Sequence, residues 1–170
     1  MSGFAVVGID FTNQETVRVF EAANAWGGMP LIWDQFAICY GKDPRTHSYS
    51  EIVESLGYQI EIDEKAPQSF EFILKMTDER AYVERADFDR LLSDLSEFFN
   101  NVPPREEKYI NHWPEIVKAI EQVKADCFEA VGFYSSVVGD VWRIDYEDET
   151  YKLRKEDFRN VYGPNWPEAK

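Results

Sequence analysis

Cysteine is nearly absent: Cys39 and Cys127 are the two thiols among 170 residues. Both sit beside apolar neighbours, and no Cys-x-x-Cys spacing occurs. A disulfide framework, a thiolate zinc site and a dithiol redox motif are therefore not expected, and both thiols read as buried and free. Histidine is as scarce, with His47 in a polar loop and His112 just ahead of Trp113-Pro114. No His-x-x-x-His, Glu-x-x-His or Asp-x-Asp-x-Asp-Gly pattern appears, so no metal site is expected. Gly27-Gly28 is a lone pair that closes an apolar run, and the Gly-x-Gly-x-x-Gly and Gly-Lys-Ser/Thr contexts that cradle phosphate are missing. No cofactor is expected. No apolar stretch approaches the roughly 20 residues that span a bilayer, and Met1 to Asp10 lacks a basic leader region. The expectation is a cytoplasmic protein without membrane contact.

What the chain has in excess is acid. Thirty-two Asp and Glu stand against eighteen Lys and Arg, for a formal charge of −14. Such a field repels phosphate backbones and anionic lipids and speeds encounter with a basic protein. Nucleic-acid binding is thus disfavoured. Hydrophobic residues make up 44% and aromatics 15%, which supplies a core for one domain of this length.

Periodicity gives the elements. Phe4 to Ile9 is apolar throughout and reads as a buried strand. Thr12 and Glu15 have capping-box spacing ahead of Val17 and Phe20, predicting a helix that Gly27-Gly28 stops. Pro30 to Tyr40 and Ser48 to Leu56 are further predicted helices. Tyr58, Ile60 and Ile62 alternate as a strand, as do Phe70, Phe72, Leu74 and Met76. A short strand is expected around Tyr82 and Val83. Asp87 opens the clearest helix, with Phe88, Leu91, Leu92, Leu95, Phe98 and Phe99 as its apolar stripe. Pro114 suits the first turn of a helix bearing Ile116, Val117, Ile120 and Val123. Phe128 to Tyr134 reads as a strand. Trp142, Ile144 and Tyr146 alternate as another, with Tyr151 and Leu153 as its hairpin mate, and Lys155 to Tyr162 is the last predicted helix. The fold class expected is α+β: a single domain of mainly antiparallel sheet packed by about five to six helices.

At an offset of seventy positions Asp78-Glu79 matches Asp148-Glu149, and Asp87-Phe88 matches Asp157-Phe158. This predicts an internal duplication of an αβββα unit, with halves at 48–100 and 111–163 and a tail over 164–170.

Two acid-rich stretches stand out. Residues 51–64 hold five acids and no base, and residues 140–149 hold five acids and one base, with Trp142 and Tyr146 alongside. Aromatics flanked by carboxylates suit lysine- and arginine-rich surfaces, because the ring excludes water around the ion pairs. The expected partner-binding residues are Asp145, Glu147, Asp148 and Glu149, with Glu61, Asp63 and Glu64 as a second patch. The function expected is non-catalytic neutralisation of a basic protein partner. Bacterial toxin-immunity proteins and antitoxins solve this physical problem when they cap the cationic cleft of a nuclease toxin. The alternatives are a small cytosolic enzyme with a site near Asp34, Cys39, His47 and His112, and a regulatory or assembly subunit.

Overall fold

The computed structural model describes residues 4–22, 64–76, 80–101, 113–135 and 152–164. Their centre is a five-stranded mixed sheet in the order β2-β1-β4-β3-β5. The strands are β1 (Phe4–Asp10), β2 (Glu15–Ala22), β3 (Ala81–Glu84), β4 (Ala130–Ser135) and β5 (Arg159–Asn160). Three α-helices accompany them: α1 (Gln68–Lys75), α2 (Phe88–Asn101) and α3 (Trp113–Ala125). Every strand pair is antiparallel except β3 with β5. The α+β reading with a mainly antiparallel sheet therefore holds. Three helices are present among the described residues, so the expected count of five to six is not shown.

β1 lies between β2 and β4, and its apolar run reflects burial on both sides. Ala5, Val7 and Ile9 join Tyr82, Ala130, Leu153 and Phe158 on one face of the sheet. Val6 points the other way, into a larger core with Val83, Val131 and Phe133 from the sheet. The helices complete that core with Phe70, Phe72, Ile73 and Met76 around α1, Leu91, Leu95 and Phe98 of α2, and Ile116, Ile120 and Val123 of α3. The two faces follow from the alternation of side chains along a strand. Gly8 shares the face of Val6, where the ring of Phe128 lies so close that a Cβ would sit 2.7 Å from Cδ2.

Three expected elements are corrected. Glu15–Ala22 is a strand, not a helix: Asp10 pairs with Glu15 across a four-residue turn, and β2 runs back along β1. The Thr12 hydroxyl, expected to cap a helix, bonds the Glu129 carboxylate. Residues 68–75 are helical, not extended. Ser69, Phe72, Ile73 and Met76 are its buried stripe, at the i, i+3, i+4, i+7 spacing of an α-helix. Residues 155–162 form a 3-10 turn (Lys155–Asp157) and the short strand β5 instead of a helix.

The expected strands at residues 4–9, 82–83 and 128–134 and the helices at 88 and 114 are present. At the seventy-residue offset, Arg85–Asp87 and Lys155–Asp157 are both single 3-10 turns; beyond them the two segments differ, since Phe88 begins α2 whereas Phe158 leads into β5. The predicted elements at 30–40, 48–56, 58–62 and 142–146 lie outside the described residues.

α3 ends in a left-handed turn. Cys127 has φ 65°, Phe128 N–H donates to Val123 O and Cys127 N–H donates to Lys124 O. That is the Schellman arrangement, which satisfies the last carbonyls of a helix and normally places glycine at the left-handed position.

Candidate functional site

The carboxyl ends of β1 and β3, which run parallel to each other, meet the start of β4 and residues 152–158. Two clefts open there, of about 490 Å³ and 680 Å³, and both are walled by Glu84 and Lys155. The smaller adds Phe11, Thr12, Arg85 and Glu129. The larger adds Tyr82, Phe158, Arg159 and Asn160. Tyr82 and Phe158 belong to the buried second face of the sheet, so an apolar floor carries a charged rim.

The rim is already committed within the chain. Lys155 Nζ lies 2.6 Å from Glu84 Oε1. The bond to Glu84 holds the Lys155 ammonium above its ordinary pKa, so the amine is charged and not a nucleophile at neutral pH. The pair is largely solvated, and such pairs contribute at most about 1 kcal/mol. Burial, and more weakly the Glu84 carboxylate, push the Tyr82 phenol up, with Lys155 pulling the other way. Glu129 accepts hydrogen bonds from the backbone N–H of Phe11 (2.8 Å) and Thr12 (3.2 Å). It thereby clamps the β1–β2 turn onto β4. Arg85 donates to Phe128 O at 3.2 Å and approaches Cys127 Sγ at 3.7 Å.

On the far side of the turn, Asp10 accepts from Asn13 N–H and Nδ2, which lowers its carboxyl pKa. Gln14 adopts φ 58°, and its carboxamide acts as a strand neighbour: Nε2 donates to Leu153 O at 3.0 Å and Oε1 accepts Leu153 N–H at 2.8 Å. Past β5, Tyr162 donates to Asp94 at 2.6 Å. The Arg90 guanidinium sits 4.3 Å from the Phe72 ring centroid and 4.2 Å from that of Tyr162. Burial first, then the bond to Asp94, drive the Tyr162 phenol far above its ordinary pKa.

Chemically this is an arrangement that holds chain segments together. Among the described residues no group of three or more His, Cys, Asp or Glu could hold a metal ion, and no helix is long and apolar enough to cross a membrane. Of the residues expected to meet a partner, Glu64 alone is described, exposed in the turn before α1. Asp145, Glu147, Asp148, Glu149, Glu61 and Asp63 lie outside the described residues, as do Asp34, Cys39, His47 and His112. Cys127, expected to be buried, is exposed, because the left-handed turn after α3 carries it outward.

The described residues include sixteen acids and twelve bases, a net charge of −4, so most of the −14 is carried elsewhere in the sequence. Glu84, Glu129, Gln14 and Lys155 had no local signal. Their partners are 71 to 139 positions away in the chain, a separation that no spacing motif encodes. No family model, no curated protein and no solved structure matches the chain.

Proposed function

We propose that this protein is a non-catalytic acidic binding protein that neutralises a basic protein partner, as an immunity protein or antitoxin caps a cationic toxin such as a nuclease. The observation that carries the reading is the net charge of −14. A field of that sign raises the association rate with a cationic surface and disfavours nucleic acid as the partner. The excess is concentrated where the proposed contacts lie: Glu61, Asp63 and Glu64 fall in the base-free stretch 51–64, and Asp145, Glu147, Asp148 and Glu149 in the stretch 140–149 with one base. The described scaffold is nearly balanced by comparison; in its clefts Glu84 pairs with Lys155 and Glu129 is held by backbone N–H groups.

The test is capture at low ionic strength, with mass-spectrometric identification of the retained protein. A basic protein released by added salt is the expected result. Reversing Asp145 and Glu147 to lysine slows association and flattens its salt dependence while leaving thermal unfolding nearly unchanged. Association of that variant at the wild-type rate rules out the assigned contacts. Absence of any basic partner at low salt rules out the reading itself.

A further inference from the structure

The chain's last described segment is held the way a peptide ligand is held. Its contacts come from ten consecutive residues, Leu153 to Tyr162. Arg159 N–H donates to Arg80 O at 2.8 Å and Val161 N–H to Tyr82 O at 2.9 Å, which adds a parallel strand to the outer edge of β3. Phe158 drops onto one face of the sheet, against Phe11 and the second core cluster. Val161, three residues on, enters the main core on the opposite face. The odd spacing sends the two side chains to opposite sides. Lys155 meets Glu84, Tyr162 meets Asp94 and Arg90, and Leu153 meets the Gln14 carboxamide.

Main-chain bonds to a sheet edge combined with seats for particular side chains define strand addition, a common mode of peptide recognition. β5 itself is two residues long, so side-chain seats carry most of the selectivity.

We propose that the outer edge of β3, with the seats of Phe158 and Val161, is a strand-accepting site that the chain fills with its own segment 153–162. When that segment is loosened, the same segment of a second copy fills the site. Every copy carries the sequence that fits these seats, and that settles the occupant. Within one chain the tethered segment acts at an effective concentration on the order of millimolar, which keeps an external strand out. The inference is independent of the acidic-partner reading.

The experiment uses the full-length chain and a fluorescently labelled synthetic peptide of residues 152–164, read by fluorescence anisotropy. Lys155→Ala combined with Tyr162→Ala removes the Glu84 and Asp94 contacts and the Tyr162 ring packed against Phe72, while keeping Phe158 and Val161. This variant binds the peptide about tenfold or more tightly than the wild-type chain, because the competing segment is weakened. Gln14→Ala, which loosens the Leu153 end, shifts binding in the same direction. A peptide carrying Val161→Asp fails to bind either variant. Circular dichroism establishes that the variants are folded. If neither folded variant binds the peptide more tightly than wild type does, or if the Val161→Asp peptide binds equally well, the proposal is overturned.

Discussion

Replacing Gly8 by alanine puts the packing of β1 to a quantitative test. In a strand interior, glycine is worse than alanine by about 0.5–1 kcal/mol, because it loses more backbone freedom on folding. A Gly8→Ala change judged on propensity alone therefore stabilises. The structure predicts the opposite sign. The new Cβ would lie 2.7 Å from Phe128 Cδ2, 2.9 Å from Cε2 and 2.9 Å from Cγ, where carbon pairs normally rest at about 3.5–4.0 Å. The ring cannot swing away freely, since Phe128 packs against the main core and its backbone is held by the N–H bond to Val123 O. β1 cannot retreat either, being bonded to β2 and β4.

Overpacking of this kind costs about 1–3 kcal/mol, which after the propensity gain leaves a net loss centred on about 1 kcal/mol. Urea unfolding at 25 °C reads it as a lower midpoint at constant slope. Phe128→Leu alone destabilises by removing the ring, but combined with Gly8→Ala it costs less than the sum of the two, a coupling characteristic of residues in contact. A Gly8→Ala variant as stable as wild type, or strictly additive energies in the double-mutant cycle, would refute the close approach.

Three other changes have defined outcomes. Cys127→Gly relieves a left-handed residue with a Cβ and stabilises by about 1 kcal/mol, read as a higher denaturation midpoint; its lost Sγ contacts to Arg85 and Ala125 are long and weak. Ser69 buries a hydroxyl with no hydrogen-bond partner among the described residues. Ser69→Ala is therefore neutral or stabilising by up to about 1 kcal/mol, where a bonded hydroxyl would give a loss of that size. Tyr162 has its folded-state pKa raised above the ordinary 10.0, so its contribution is fully present below pH 10 and is lost as pH rises beyond it. The stability advantage of wild type over Tyr162→Phe thus shrinks between about pH 9 and about pH 12. A constant difference across that range would contradict the bond to Asp94.

The elements that were legible are those whose burial is one-sided and regular, or complete. α2 presents Phe88, Leu91, Leu95 and Phe98 to the core and charges to solvent, so its period is visible in the chain itself. β1 is buried on both faces and reads as an unbroken apolar run. β2 was misread because a register shift opposite Val6/Val7 breaks its alternation. Val19 and Phe20, adjacent in sequence, both pack toward the helix-side core. The β-branched Thr16, Val17 and Val19 were the signal that could have identified the strand. In α1 the residues Phe70, Phe72, Leu74 and Met76 satisfy a period of two, and Ile73, buried between them, is what makes the stripe helical.

Sequence alone determined the acidity and the elements with regular or complete burial, β1, α2 and α3, because their patterns depend on neighbours within a few residues. The tertiary structure decided how the last segment folds. Phe158, Val161 and Tyr162 have a spacing that suits a helix face, but the free edge of β3 offers two main-chain acceptors and apolar seats on both sides of the sheet. Those contacts exist only after β3 and β4 have come together, so they overrule a local preference worth a few tenths of a kcal/mol per residue. The same holds for Gln14 and Glu129, whose roles arise from partners more than a hundred residues away.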